Sequence, residues 1–176
     1  TQSIGKEVID TEDIDLVSLS SQKFYGLKGV GCLIKKENIV IEPLIHGGKS
    51  TTIYRSGTPA TGLIVSTSKA LRIAYSNFEE KYNYVLSLNK YLKEQLSKIK
   101  EVHINSNEYA IPHIVNISIK NIKPETIQHA LEQEEIYIST QTACSSNNPV
   151  SKAVLAVTKN KDFSSHSVRI SLSYLT

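Results

Sequence analysis

The sequence predicts α/β material followed by a compact α+β unit. Three patterns carry that prediction. Short apolar runs bounded by glycine turns occupy the first third. One apolar stripe at helical spacing crosses the middle. Strand-like and helix-like segments alternate in the last third.

Residues 14–20 and 30–34 are short apolar runs and are read as buried strands. Gly26, Gly29 and Gly31 lie between or at the edge of these runs and permit a hairpin-like turn. They do not match the Gly-x-Gly-x-x-Gly fingerprint of dinucleotide-binding turns. Residues 46–59 form a polar loop. Leu63, Ala70, Leu71, Ala74, Phe78, Tyr82, Val85, Leu88, Leu92, Leu96 and Ile99 then recur at threes, fours and sevens. That spacing lines one helical face, as two helices or one bent helix, and is a natural place for one domain to pass into another. Lys90, Lys93, Glu94, Lys98 and Lys100 fall largely off the stripe and read as a solvated face. Val115, Ile117 and Ile119 have period two, so 112–119 is a half-buried strand. Pro124 opens a helix with Ile127, Ala130 and Leu131 on one face. A short strand is expected at 136–139, a polar loop at 140–149 and a short helix at 150–157. Val168, Ile170 and Leu172 alternate with Arg169, Ser171 and Ser173 in a final strand.

Composition narrows the classes. Of the 176 residues, 40% are hydrophobic and 21% charged, which is ordinary globular material and not a disordered tail. No apolar run approaches the roughly 18 residues of a membrane span, and no signal-peptide pattern opens the chain. Two cysteines without metal-like spacing exclude a disulfide scaffold and a zinc ribbon. A net charge of +3 does not by itself argue for nucleic acid. There is no methionine, even at position 1. The expectation is a piece of a larger protein; processing of a small intact protein is the alternative.

Three positions, Lys23, Cys144 and Arg169, invite chemistry. Lys23 follows a strand-like run and precedes tight glycine turns, where partial desolvation would make its amine a nucleophile. Taken alone, a surface lysine in a turn is the simpler account. Ser20 and Lys23 also have Ser-x-x-Lys spacing, but the companion motifs of penicillin-binding enzymes are absent. Cys32 sits in an apolar run and reads as a small core residue. Cys144 sits in a polar loop, Thr142-Ala143-Cys144-Ser145-Ser146, where exposure would favour a reactive thiol; a reactive and an inert reading are balanced there. Arg169 faces away from its apolar strand neighbours and could grip a carboxylate through two parallel hydrogen bonds, although a solvent-facing charge is the default.

Together these segments resemble the cysteine desulfurases, of the class V aminotransferase group of pyridoxal phosphate enzymes. Ser20-Ser21-Gln22-Lys23-Phe24-Tyr25-Gly26 looks like the family's cofactor-lysine segment. His46-Gly47-Gly48 with Arg55-Ser56-Gly57-Thr58 resembles the next landmark. Ala143-Cys144-Ser145-Ser146 resembles the sulfur-accepting loop, and Ser167-Val168-Arg169-Ile170-Ser171 the substrate-carboxylate strand.

The resemblance implies a fold and a set of roles. Residues 1–77 would be the rear part of a type I aminotransferase-like large domain, and 78–176 a small α+β C-terminal domain. Lys23 would hold pyridoxal 5'-phosphate covalently and move protons at the substrate α-carbon. Gln2 would bond the cofactor's phenolic oxygen, Ser20 and Gln22 would lie near its phosphate, and Thr58 would reach the phosphate of a neighbouring subunit in a homodimer. Arg169 would bind the carboxylate of L-cysteine. Cys144 would take the sulfur as a persulfide, leaving L-alanine, and pass it to an iron–sulfur scaffold or a tRNA thiolation enzyme. The resemblance implies no direct nucleic-acid binding, no membrane and a cytoplasmic compartment. The chain departs from the family at Gln22, where a histidine is usual, and at Lys49-Ser50-Thr51 after His46-Gly47-Gly48. It also lacks the upstream half of the family's large domain and its terminal helix, so the fragment is expected to be inactive alone. A selenocysteine lyase, a class V aminotransferase that does not need Cys144, and a fragment without cofactor are the alternatives.

Overall fold

Leu16–Ser20 (β1) and Gly31–Lys35 (β2) pair antiparallel in the computed structural model, with Leu19 opposite Cys32 and Ser20 opposite Gly31. The structure describes residues 1–48, 52–140 and 150–176. They form two compact units, Thr1–Phe78 and Glu79–Thr176.

In the first unit, a 3-10 turn, Ser21–Phe24, follows β1 directly. Phe24 and Leu19 join Ile4 in a small core, completed by Ile9, Ala70, Leu71 and Ala74. Three of these come from α1, Thr61–Tyr75. The expected hairpin is therefore present, with its connection built from a 3-10 turn and a glycine-rich return. The reading of Cys32 as a core residue is corrected. Cys32 is exposed, as are Gly31, Leu33 and Ile34. The covering side chains of α1 gather over Leu19 and Phe24, and among the described residues no third strand pairs with β2.

The helical stripe is interrupted, as expected of a segment that long. α1 ends at Tyr75, and α2 runs over Phe78–Ser97. Asn77 between them takes φ 53°, a left-handed conformation that Asn tolerates. Lys90, Glu94, Lys98 and Lys100 are exposed or nearly so and Lys93 is half-buried, consistent with a largely solvated face.

The second unit is built on a three-stranded antiparallel sheet in the order Val102–Ile104 (β3), Ile114–Ile119 (β4), Ser167–Ser171 (β5). The alternating apolar residues of β4, Val115 and Ile117, form the core with Val168. Leu92 and Leu96 of α2 pack against that core, with Val102, Ile104, Ile170 and Leu172. Among the described residues three helices lie between β4 and β5 along the chain. They are Pro124–Glu132 (α3), Lys152–Thr158 (α4) and Lys161–Ser165 (α5). Pro124 opens α3 as predicted, and Ile127 and Leu131 are half-buried, but Ala130 is exposed. The strand expected at 136–139 reduces to one antiparallel bridge, Ser139 to Arg169. Glu135 takes φ 59° just before it, so the chain turns sharply and meets the sheet edge only at Ser139. β3 and α5 have no counterpart in the elements that the sequence pattern predicts.

Candidate functional site

The two ends of the expected site lie in different units. Lys23 and its neighbours belong to the first. A 3-10 turn eclipses residues three apart. Accordingly Ser21 and Phe24 point inward and are buried, while Gln22 and Lys23 between them are exposed. Phe24, only 2% exposed, anchors the turn in the core. Tyr25 at φ 65° and the bond from Gly26 N to Ser21 O (3.0 Å) close it. Lys23 is thus an exposed amine on an anchored backbone. Its own unit does not bury it, so these residues do not supply the partial desolvation expected of it. Ser20 Oγ donates to Gln22 Oε1 at 2.7 Å, which leaves the Gln22 amide nitrogen as a donor.

The two glycine-containing landmarks downstream are tied together. Ser56 Oγ donates to the His46 carbonyl at 2.8 Å, and Ser56 N to the Ile45 carbonyl at 3.3 Å. Gly47, at φ 149°, lies against Ser56, where a Cβ would come within 3.0 Å of the serine side chain. Thr58 follows Gly57 (φ 96°) and is exposed, as is Gln2. An open cavity of about 440 Å³ is lined by Gly29, Gly31, Arg55, Gly57 and Pro59.

Arg169 belongs to the second unit. It lies on β5 opposite Asn116 of β4 and, on its other side, opposite Ser139. Backbone bonds run both ways between Arg169 and Ser139, at 2.6 and 3.0 Å. Arg169 Nη2 donates to Ser139 Oγ at 3.3 Å, and Nε is buried without a partner. The guanidinium therefore keeps donors for an anion. Asn116 and Ser118 alternate onto the same face of β4, and Asn105 bonds to both. None of these three is singled out by the sequence pattern as a site residue. The available signal is the alternation in Val115-Asn116-Ile117-Ser118, which separates a polar face from an apolar one. Cys144 lies outside the described residues.

The residues fit a carbonyl-bearing phosphate cofactor in their chemistry. An aldehyde needs an amine free of ion pairs, and Lys23 has no salt bridge or hydrogen bond among the described residues. A phosphate needs N–H and O–H donors: Gln22 and Thr58 carry them, and Ser20, whose one hydroxyl hydrogen goes to Gln22 Oε1 in this structure, supplies it only by giving up that bond.

Comparison with known proteins places this mixed α/β architecture. A NifS-like protein of known structure superposes with a TM-score of 0.84 at 31% identity, covering 98% of this chain and 45% of that one. A NifS-like protein from Rickettsia africae ESF-5 gives 0.83 at 27% identity, covering 99% and 47%. The fold is that of a type I aminotransferase-like enzyme. The family model of aminotransferase class-V matches residues 1–176, and the chain belongs to that family. Cysteine desulfurase IscS of Buchnera aphidicola subsp. Baizongia pistaciae is 36% identical over 181 residues, covering 99% of this chain and 44% of that protein. The NifS/IcsS protein homolog of Lactobacillus delbrueckii subsp. bulgaricus is 34% identical over 176 residues, covering 97% and 46%. The chain therefore spans a little under half the length of these relatives.

The turn that carries Lys23 has no room for a side chain at Gly26. A Cβ there would overlap Ser21 Oγ and lie 3.1 Å from the Ser21 carbonyl. In the protein at its full natural length, Gly26→Val should cost about 1–3 kcal/mol through overpacking. A thermal melt would show it as a drop of roughly 2–10 °C; an unchanged midpoint would mean the turn yields freely.

Proposed function

We propose that the full-length protein containing this chain is a pyridoxal phosphate-dependent cysteine desulfurase, which converts L-cysteine to L-alanine and leaves the sulfur on the enzyme as a persulfide. The observation that supports this most is the 36% identity to cysteine desulfurase IscS across 99% of the chain. When bound, pyridoxal phosphate supplies the electron sink that lets the carbon–sulfur bond break.

The residues of this chain do the rest. Lys23 tethers the cofactor through its amine and moves a proton at the substrate α-carbon. Gln22 and Ser20 hold the phosphate, and Gln2 donates to the ring oxygen. Thr58 reaches the phosphate of a second subunit, which makes the protein a homodimer. Arg169 fixes the substrate carboxylate by charge-assisted hydrogen bonds. Cys144 attacks the substrate sulfur as a thiolate. The substrate carbon–sulfur bond breaks, an S–S bond forms on Cys144, and the carbon takes a proton to become the alanine methyl group. The persulfide then passes to an acceptor protein by thiol exchange chemistry. An iron–sulfur scaffold and a tRNA thiolation enzyme both suit that role. In this reading residues 1–77 are part of the large cofactor domain and 78–176 the small domain. The compartment is cytoplasmic. Among the described residues no helix is long and apolar enough to cross a membrane.

Three variants of the full-length protein test this reading. Lys23→Ala should abolish both the visible absorption band of bound cofactor and alanine release from cysteine; wild-type turnover would remove Lys23 from the mechanism. Arg169→Ala should weaken cysteine binding by roughly 2–5 kcal/mol while the cofactor band persists, and unchanged affinity would mean a solvent-facing charge. Cys144→Ser should retain the cofactor and lose turnover. Mass spectrometry after cysteine treatment should find the extra sulfur on Cys144. Cys32 is exposed in this structure and is a genuine competitor in that measurement. Extra sulfur on Cys32, or full turnover in Cys144→Ser, would remove Cys144 as the sulfur carrier; no sulfur transfer in the wild type would favour an aminotransferase.

A further inference from the structure

The polar face of the second unit's sheet holds a hydrogen-bond chain with a fixed direction. It starts at the Phe163 carbonyl, which can only accept. Ser118 Oγ donates its one hydrogen to that carbonyl at 2.7 Å. Ser118 must then accept from Asn105, and Asn105 Nδ2 lies 2.7 Å away. The second Nδ2 hydrogen of Asn105 goes to Asn116 Oδ1, also at 2.7 Å. The amide of Asn116 is thereby oriented: its oxygen faces Asn105, and its NH2 group faces elsewhere. That NH2 group has no protein partner among the described residues. The origin of the chain is itself held, because Asn160 Oδ1 caps α5 and accepts from Phe163 N at 3.2 Å.

Register places those free donors. Asn116 is the direct antiparallel partner of Arg169, so both side chains leave the same face of the sheet. Directly opposed residues have Cβ atoms roughly 5 Å apart. Arg169 keeps its own unpartnered Nε beside them. A purely structural network would be expected to satisfy its buried members. Here Asn105 Oδ1 is left buried and unpaired, as the orientation requires.

We infer that Asn116 is a second binding group for the substrate carboxylate beside Arg169, and that Asn105 is the residue that positions it. The inference rests on the reading of Arg169 as the carboxylate-binding residue. A guanidinium and a neutral amide together offer donors to both carboxylate oxygens and disfavour ligands without that group.

The informative variant is Asn116→Asp in the cofactor-loaded protein at its full natural length. A carboxylate there still accepts from Asn105 Nδ2, so the structural bond survives. The free donors vanish, and a negative charge stands beside Arg169. Binding of L-alanine, which carries the same carboxylate as the substrate and does not lose sulfur, is measured by titration. Asn116→Ala should weaken it about tenfold, as for loss of a hydrogen bond to a charged group, and Asn116→Asp should weaken it further. The melting temperature of Asn116→Asp should stay within about 3 °C of wild type. Asn116→Asp binding L-alanine as well as wild type, or better than Asn116→Ala, would overturn the inference. If Asn116→Ala does not accumulate as folded protein, Asn116→Asp against wild type decides alone. Arg169→Ala is the control. Unchanged L-alanine binding in that variant defeats the carboxylate reading itself and this inference with it. Weakened binding there, with Asn116→Asp like wild type, defeats only the role of Asn116.

Discussion

The pairing of β4 with β5 is the constraint on which the second unit depends. Val115 faces Ile170 and Ile117 faces Val168 across it, while Asn116 faces Arg169 and Ser118 faces Ser167. Side chains alternate along a strand, so a slip of one residue exchanges the two faces. Arg169 would then enter the apolar layer occupied by Leu92 and Leu96, and Val168 would leave it. Burying an unpaired guanidinium costs several kcal/mol. The same alternation that builds the core therefore fixes Arg169 among polar neighbours. The core and the placement of Arg169 follow from one choice of register.

In the first unit the corresponding constraint is local. Ser20 leaves β1 in extended backbone, and Tyr25 ends the 3-10 turn in left-handed backbone. Phe24 is the anchor, since its burial in one cluster with Ile4 and Leu19 holds the turn to the core. An exposed lysine beside a buried aromatic combines freedom at the amine with a fixed point of attachment. That suits the two tasks proposed for Lys23, holding a group and moving a proton, which need reach without backbone drift.

Legibility in the sequence follows pattern length. The strands carrying Val115 and Val168 are readable because several alternating apolar residues stand in each. The helical stripe is readable for the same reason, and Asn77 marks where it breaks. β3 has three residues with His103 in the middle, too few to register a period. α5 has five, with Phe163 its only large apolar side chain. Residues 136–139 look strand-like but contribute a single bridge, because propensity does not show where a neighbouring edge ends. Asn105 and Asn116 do not stand out in the sequence for a different reason. Polar residues at alternate strand positions ordinarily face water. Only pairing across strands reveals that Asn116 stands opposite Arg169, with Asn105 bonded beside it.

Cys32 shows the limit of reading burial from an apolar run. Leu33 and Ile34 beside it are each 51% exposed, and Leu16, on the same face of the ribbon as Leu33, is 46% exposed. Apolar surface gathered on a two-stranded ribbon is costly in water and marks a face suited to contact. Periodicity can say that such residues want cover, but cannot say which residues provide it. The family relatives are about twice as long as this chain, which matches 44–46% of them. The apolar run of β2 is therefore legible in the sequence while its exposure is not, because the run records the side chains and not their neighbours.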